Sequence, residues 1–79
     1  MPRYFFHVMD GHASIDAEGT ELNGIREARA QAVQTAGQIL SEKGARFWDG
    51  TEWRMTVCNA SGATLFSIDF SARAYGEQA

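Results

Sequence analysis

Residues 1–11 read MPRYFFHVMDG, and this stretch decides the fold of the chain. Up to Met9 it is rich in aromatic and β-branched side chains, a composition typical of a β-strand. Asp10-Gly11 comes next, and this dipeptide between strand-forming residues indicates a two-residue hairpin turn, because glycine adopts a positive φ without steric cost. We therefore expect the fold to begin at the first residue, with a strand and a hairpin and no leader before them.

The first strand carries large side chains on both of its faces. Side chains alternate along a strand, so Tyr4, Phe6 and Val8 share one face, and the other face holds Arg3, Phe5, His7 and Met9. One face of a small antiparallel sheet usually contacts water. The aromatic excess on the second face therefore indicates a partner protein, and it indicates no reaction.

Composition places the 79-residue chain among globular proteins, with 44% hydrophobic and 22% charged residues. The periodic pattern ends near residue 71, so we expect a single domain over residues 1–71 and a flexible tail over residues 72–79. Cys58 is the only cysteine, which excludes an intramolecular disulfide. Stability must then come from an apolar core.

The charge pattern argues against two classes of partner. Seven basic residues are scattered along a chain of net charge −3, whereas nucleic-acid binders concentrate theirs in a stripe that neutralises phosphates. No apolar run approaches the roughly 18 residues that span a bilayer, and the start lacks the apolar core of a signal peptide. We expect a cytoplasmic protein that binds neither nucleic acid nor membrane.

A helix is predicted over residues 23–43. Asn23 is suited to the N-cap, and Gly44 to the positive-φ position just past the last turn. One side of this helix is apolar at helical spacing; it comprises Ile25, Ala28, Ala32, Val33, Ala36, Ile39 and Leu40. The three alanines would let the helix lie close to a sheet, and Arg29 at the edge of the stripe would pack its stem there.

Further segments complete the predicted order. The second strand of the first hairpin is predicted over residues 12–17, where the strand pattern is weaker, and a polar loop follows over residues 18–21. A second hairpin follows the helix, with strands over residues 52–58 and 63–70 joined by a four-residue turn at Asn59-Ala60-Ser61-Gly62. For residues 45–51 two interpretations stay open: a strand that begins at Phe47-Trp48, or a turn at Asp49-Gly50.

The order β-β-α-β-β predicts an α+β domain of two layers, a four-stranded, mainly antiparallel sheet with the helix packed on one face. We expect the strands over residues 3–9 and 52–58 to form the central pair. The predicted core consists of Tyr4, Phe6, Val8, Ile15, Val33, Ala36, Leu40, Trp53, Met55, Val57, Phe66, Ile68 and Phe70.

The other face of the sheet has no helix to cover it. By alternation, this helix-free face holds Phe5, His7, Met9, Arg54, Thr56, Cys58 and Leu65. Apolar patches on a protein surface commonly mark interfaces, which predicts an interaction face formed by Phe5, His7, Met9, Arg54, Cys58 and Leu65. Two alternatives stay open, in which Phe47-Trp48 or the tail through Tyr75 covers the patch.

The residues with chemical potential lie on or near this face. His7 could act as a general base with Asp16 as its acid, or it is a sheet histidine that stacks or hydrogen-bonds. His7 and Cys58 are too few for a closed zinc site unless a symmetric dimer doubles them. The acidic loop over residues 16–21 lacks the pattern of a calcium loop and is expected to be solvated. We therefore predict no catalytic residue, no metal site and no cofactor.

Several motifs occur together in this chain: PRYFFH at residues 2–7, Asp10-Gly11, D-x-EGxEL at residues 16–22, Glu27-Ala28-Arg29 and W-R-x-x-V at residues 53–57. In this it resembles a family of small bacterial domains of unknown function, common in alphaproteobacteria. The resemblance implies a compact stand-alone bacterial domain and brings no activity, cofactor or catalytic residue. The chain departs from the pattern at Cys58 and in its longer stretch over residues 45–51.

The order of strand, turn, strand and alanine-rich helix is also similar, more distantly, to the α/β domain of HicB-type antitoxins. Those proteins bind a toxin through that domain, and the similarity rests on element order alone. Three functions follow, in this order: a non-enzymatic interaction module, self-associating or binding another protein through the helix-free face; an antitoxin-like regulatory partner; and a small hydrolase or nuclease that uses His7. The expected assembly is a homodimer or a complex with another small protein.

Overall fold

The computed structural model describes residues 1–50 and 52–76, and it confirms a two-layer α+β fold. The strands are β1 (Arg3–Met9), β2 (Ala13–Ser14), β3 (Thr20–Glu21), β4 (Glu52–Cys58) and β5 (Thr64–Ser71). The helix α1 spans Ile25–Lys43, and a 3-10 helix follows it over Gly44–Asp49. No helix in the described ranges has the length and apolar character needed to cross a membrane.

The centre of the sheet is formed by β1 and β4, as predicted. The strand order is β2-β1-β4-β5, every pairing is antiparallel, and β3 pairs with the first residues of β1. Phe6 lies opposite Val57 and Val8 opposite Met55, so their side chains meet on the same face of the sheet. The second hairpin closes at Asn59, whose side-chain oxygen accepts backbone N–H groups from the turn.

The helix lies against the sheet through its smallest side chains. Ala28, Ala32 and Ala36 are fully buried, and they follow one another at the four-residue spacing of one helix face. Alanine brings a helix backbone close to a sheet, and the space beneath is filled by the largest fully buried side chains, Trp53, Met55 and Val57. The cluster is completed by Tyr4, Phe6, Val8, Leu22, Ile39, Leu40, Phe47, Phe66 and Ile68.

Three residues predicted for the core are exposed instead. Ile15 is 67% exposed, Val33 65% and Phe70 38%. Ile15 comes after a strand that ends at Ser14, so it leaves the sheet. Val33 follows a buried alanine by one position, which turns it away from the sheet towards the flank of α1. Phe70 belongs to the edge strand β5 and covers one side of Trp53, with ring centroids 5.7 Å apart.

Both ends of α1 are held by charged side chains. The N-cap residue is Gly24, one position after the predicted Asn23. The carboxylate of Glu27 accepts the backbone and side-chain N–H groups of Asn23, each at 3.0 Å, because a glutamate in the first turn can reach back to free donors there. At the other end, Lys43 Nζ lies 3.4 Å from Asp10 Oδ2 and ties the helix to the first hairpin.

The turn of the first hairpin is longer than predicted. Met9 is opposite Ala13, so three residues form the turn and not Asp10-Gly11 alone. Gly11 has the expected positive φ, +106°. The N–H of Asp10 donates to the carbonyl oxygen of His12 at 3.3 Å, which closes the turn one residue later than a two-residue hairpin would.

The return strand is shorter than predicted and is divided in two. Of residues 12–17 only Ala13–Ser14 pair with β1, and part of the predicted loop, Thr20–Glu21, pairs with its first residues. Residues 1–50 and 52–76 therefore contain five strands, where the sequence predicts four. The division occurs at Asp16, whose carboxylate accepts the N–H of Phe6 between the two short strands.

The stretch before β4, for which the sequence leaves a strand start and a turn both open, forms neither of these over residues 45–49. Gly44 has a positive φ of +54° as predicted, and the 3-10 helix begins there and packs Phe47 against the core. Thr51 of the predicted segment and residues 77–79 of the predicted tail lie outside the described residues. Residues 72–76 follow β5 without a helix or a strand.

Gly19 brings the loop after Asp16 into close contact with β1. Its φ is +73°, and a Cβ at this position would lie 2.8 Å from a ring carbon of Phe5 and 2.9 Å from the carbonyl oxygen of Tyr4. Protein interiors are packed too tightly for a backbone atom and an aromatic ring both to move aside at no cost. Only glycine fits this position without strain.

We expect Gly19→Ala to lower the free energy of unfolding by about 1–3 kcal/mol, because it combines overpacking with a disfavoured backbone conformation. Gly37→Ala is the matched control. Gly37 lies within α1 with no atom near its Cβ position, and alanine should stabilise the helix there by about 0.5–1 kcal/mol. Urea denaturation followed by circular dichroism measures both; equal effects of the two substitutions would contradict the close approach at Gly19.

Candidate functional site

The strand register brings the β1 and β4 residues of the predicted face together. Residues directly opposite each other in an antiparallel pair point to the same face. The β1–β4 register gives three such pairs: Phe5 with Cys58, His7 with Thr56, and Met9 with Arg54. Because α1 packs on the other face through Trp53, Met55 and Val57, these six residues lie on the helix-free face, as alternation predicts.

Leu65 lies next to these residues at an irregularity of β5. The register shifts between Val57 and Cys58, and this leaves Leu65 without a direct partner on β4, as in a β-bulge. The Leu65 side chain is 38% exposed. Cys58, by contrast, is 8% exposed, and its Sγ lies 3.8 Å from the hydroxyl oxygen of Thr64.

One end of the helix-free face is covered by the chain itself. The close contact between Gly19 and Phe5 leaves Phe5 half-buried, and His7 is half-buried as well. The cover comes from the loop after Asp16, which neither of the two sequence-based alternatives named. At the other end Met9 is 54% exposed, so the accessible apolar side chains of the face are those of Met9 and Leu65.

An ion pair occupies the open end of the face. Arg54 lies opposite Asp69, and two N–H groups of its guanidinium donate to the two carboxylate oxygens at 2.6 and 3.3 Å. This hydrogen bonding, together with the charges of Asp69 and Glu52, raises the pKa of Arg54 above its ordinary value. Sequence reasoning missed the pairing of Asp69 with Arg54, because the bulge shifts the β4–β5 register by one residue and no sequence pattern indicates that bulge.

A groove of about 490 Å³ opens beside this ion pair. It lies where β4 begins and β5 ends, and it combines aromatic, charged and small side chains. Its lining comprises Met9, Gly11, Glu52, Trp53, Arg54, Asp69, Phe70 and Ser71. A ligand pocket normally encloses most of a small molecule, whereas this groove is open along its length and suits side chains from another protein.

His7 and Asp16 are in contact, but they do not form a general-base pair. The backbone N–H of Asp16 donates to Nδ1 of His7 at 3.1 Å, which leaves the proton of the neutral imidazole on Nε2. The Asp16 carboxylate accepts backbone N–H groups from Phe6, Glu18 and Gly19, at 3.1, 3.2 and 3.0 Å. A carboxylate that orients a catalytic histidine accepts the ring N–H; here the backbone engages both groups.

The prediction that the acidic loop is solvated is therefore wrong for Asp16, whose carboxylate has a structural role. Partial burial alone would raise the pKa of its carboxyl group. The hydrogen bonds from the Gly19, Phe6 and Glu18 amides outweigh that effect and lower the pKa below the ordinary value of 3.8. The folded state thus favours the charged carboxylate, and it loses that contribution when the group is protonated.

We expect Asp16→Asn to reduce the free energy of unfolding at pH 7 by about 1–3 kcal/mol, because hydrogen bonds to a charged acceptor are replaced by weaker ones. Since the folded-state pKa lies below 3.8, the wild-type contribution is complete well above that pH and disappears as the pH falls through the folded-state value. The difference between the two proteins should shrink accordingly in acid.

Glu18→Gln is the control for this measurement. It removes one negative charge from the same loop, and among the described residues the Glu18 carboxylate accepts no hydrogen bond; the residue is exposed. We expect a change within about 0.5 kcal/mol. Urea melts of all three proteins between pH 3 and pH 7 compare them, and a wild-type-to-Asn difference independent of pH would refute the role of the charge.

No group of three or more histidine, cysteine or carboxylate side chains within residues 1–50 and 52–76 could hold a metal ion. His7 and Cys58, the two candidate metal ligands considered from the sequence, do not lie opposite each other on the face. His7 lies opposite Thr56, and Cys58 lies opposite Phe5. Cys58 is also buried. The two side chains therefore do not form an accessible ligand pair within one chain.

The model of a family described as Domain of unknown function (DUF6894) matches residues 3–71, from the first residue of β1 to the last of β5. No curated protein and no solved structure matches the chain.

Proposed function

The chain belongs to the DUF6894 family of domains of unknown function, and we propose that it is a non-enzymatic interaction module whose helix-free face binds another protein. The observation that carries the proposal is the composition of the open part of this face. Met9 is 54% exposed and Leu65 38%; Met9 lies directly beside the exposed ion pair of Arg54 and Asp69, and Leu65 lies further along β5, next to Cys58. Exposed apolar side chains among charged and polar groups are typical of non-obligate protein interfaces.

The same composition favours a different protein over a second copy on this face. Interfaces between identical subunits are more apolar, about 65% in area. Phe5 is half-buried and Cys58 buried, so they add little accessible apolar area. Polar His7 and Thr56 occupy the middle of the face. An antitoxin-like role is one form of this proposal, with a small toxin as the bound protein.

A hydrolase or nuclease based on His7 has weaker support. The acid nearest to it, Asp16, has both carboxylate oxygens bound to backbone amides. The Nδ1 atom of His7 also accepts a backbone N–H. General acid–base catalysis needs a side chain free to exchange its proton with a substrate, and these contacts hold the pair in a structural arrangement.

The proposal is tested by photocrosslinking in cells of the source organism. A photoreactive phenylalanine analogue at Thr56, in the middle of the face, should give a discrete crosslinked band with a second protein. The additional substitution Met9→Asp should reduce that band about tenfold or more, because a charge placed in the contact area typically costs more than 1 kcal/mol of binding. Immunoblotting against the tagged chain quantifies the band.

Ala30 provides the matched controls, because it is an exposed residue of α1 on the other layer. The photoreactive group at Ala30 should give no such band, and Ala30→Asp, which adds the same charge as Met9→Asp, should leave the Thr56 band unchanged. Thermal melts check that each variant is folded. A band equally strong from both positions, or no loss with Met9→Asp, would exclude the helix-free face as the binding surface.

A further inference from the structure

The two edges of the sheet differ in how they are protected. On the β1 side, β2 and β3 pair with the two ends of the strand, and Asp16 accepts the N–H of Phe6 between them. On the other side, β5 is the last strand, and no described residue pairs with its outer edge. Every second residue of an edge strand directs its N–H and C=O outward, so β5 presents a row of open backbone groups.

Beyond the bulge at Leu65, the strand β5 also lacks the features that usually keep edge strands from pairing. It is eight residues long and contains no proline and no lysine, which are common protective residues at sheet edges. Its only charged residue is Asp69, and that carboxylate is bound to Arg54. A long edge of this kind is a template for another strand.

An apolar seam runs along the helix side of this edge. We define the α1–β5 seam as Val33 and Leu40 of α1 with Phe66, Ile68 and Phe70 of β5. Arg29 lies over the ring of Phe66 at 6.0 Å, and Leu40 lines a hollow of about 200 Å³ together with Phe70, so one flank of α1 follows β5. Val33 is one helical turn from Arg29 and shares that flank, and it is 65% exposed.

We propose that a second copy of this chain pairs with the β5 edge, antiparallel and about a two-fold axis, so that two sheets become one continuous sheet. A two-fold axis perpendicular to the sheet keeps both helices on the same side. The occupant must offer a free strand and an apolar surface at the same spacing, and the chain itself does so. The structure assigns this interface to a surface separate from the helix-free face proposed above.

Side-chain matching selects one register, with Ile68 on the two-fold axis opposite the partner's Ile68. Phe66 then lies opposite the partner's Phe70 on the helix side, and Ser67 lies opposite the partner's Asp69 on the other side. Aromatic and β-branched pairs across strands are favourable. If the two-fold axis passed through Asp69, one residue further along β5, Asp69 would lie opposite the partner's Asp69. Like charges directly opposite each other are destabilising.

The helix spacing accounts for the exposed valine. The helix α1 approaches the sheet at β4, and β4 would lie three strand spacings, about 14 Å, from the partner's β4. Two helices about 10–12 Å in diameter would then leave a narrow cleft between them. Val33 from each chain faces that cleft and fills it, which gives this exposed apolar side chain a place to be buried.

The surface area of the chain agrees with such an interface. The accessible surface is 5675 Å², against about 4,700 Å² for a compact monomer of this mass. The excess, roughly 1,000 Å², is comparable to the share of about 800 Å² that each partner contributes to a standard interface. Residues 72–76 contribute to the excess, and the α1–β5 seam supplies exposed apolar area to be buried.

Sedimentation equilibrium over a dilution series of the full chain measures the assembly. The expected mass is twice 8.7 kDa at high concentration, falling towards one chain on dilution. We expect Val33→Glu to weaken the dimer about tenfold or more, because it puts a charge into the cleft, and its exposed position leaves the fold intact. Gln38→Glu, which adds the same charge on the opposite side of α1, should leave the dissociation constant unchanged.

Cysteine crosslinking tests the register in a Cys58→Ala background. Ile68→Cys should form a disulfide-linked dimer under copper-phenanthroline oxidation, because the two introduced thiols lie next to each other across the axis. Thr64→Cys is the matched control; its two copies would be about 26 Å apart along the strands and should not crosslink. A protein that remains monomeric at the highest concentration, or a dimer unaffected by Val33→Glu in which Ile68→Cys does not crosslink, would overturn the proposal.

The two proposals fail separately. Met9→Asp lies outside the α1–β5 seam and should leave the sedimentation mass unchanged, whereas Val33→Glu lies outside the helix-free face and should leave the Thr56 photocrosslink to a second protein in place. Loss of the dimer with Met9→Asp would place self-association on the helix-free face and refute the β5 pairing.

Discussion

The hydrogen bond from the Phe6 amide to the Asp16 carboxylate is the constraint on which the rest of this small fold depends. It closes the one stretch of β1 that has neither β2 nor β3 beside it, and the same carboxylate shapes the loop that places Gly19 against Phe5. Around it, Arg3 donates to the carbonyl of Glu18 at 2.7 Å and pairs with Glu21 at 3.1 Å. Most residues of the D-x-EGxEL segment thereby secure the first strand, so the motif has a structural role in this fold.

Surfaces available for function therefore lie where this motif does not reach. The loop that it organises covers one end of the helix-free face and leaves the other end, with Met9 and the Arg54–Asp69 pair, open to a partner. The same segment protects one edge of the sheet, and among the residues that the structure describes it has no counterpart at β5. A chain of this size cannot bury all of its apolar residues around one helix, and four of those left exposed lie at these two places: Met9 and Leu65 on the helix-free face, Val33 and Phe70 along the α1–β5 seam.

Alternation and turn chemistry predict the layers and the alanine face of the helix, because those depend on local periodicity. The predicted β1–β4 pair is confirmed, although local periodicity does not determine which distant strands meet. Three features could not be read in this way. The rotation of α1 on the sheet, which exposes Val33, depends on how the alanines seat against β4. The bulge at Leu65, which aligns Arg54 with Asp69, is a one-residue slip that leaves no mark in the pattern. The bond of Asp16 joins a polar loop to a backbone amide ten residues earlier, and backbone amides are the same at every position.

The position of β1 in the sheet has a consequence for how the chain folds during synthesis. β1 is central, yet its main partner, β4, begins only at residue 52. Translation at about 5–20 residues per second separates the two strands by several seconds. Short loops close faster and at a smaller entropic cost than long ones, so Asp16 and β2 can occupy one side of the aromatic strand long before β4 emerges from the ribosome. The order of elements along the chain thus shields one side of this aromatic strand while the other side waits for its partner.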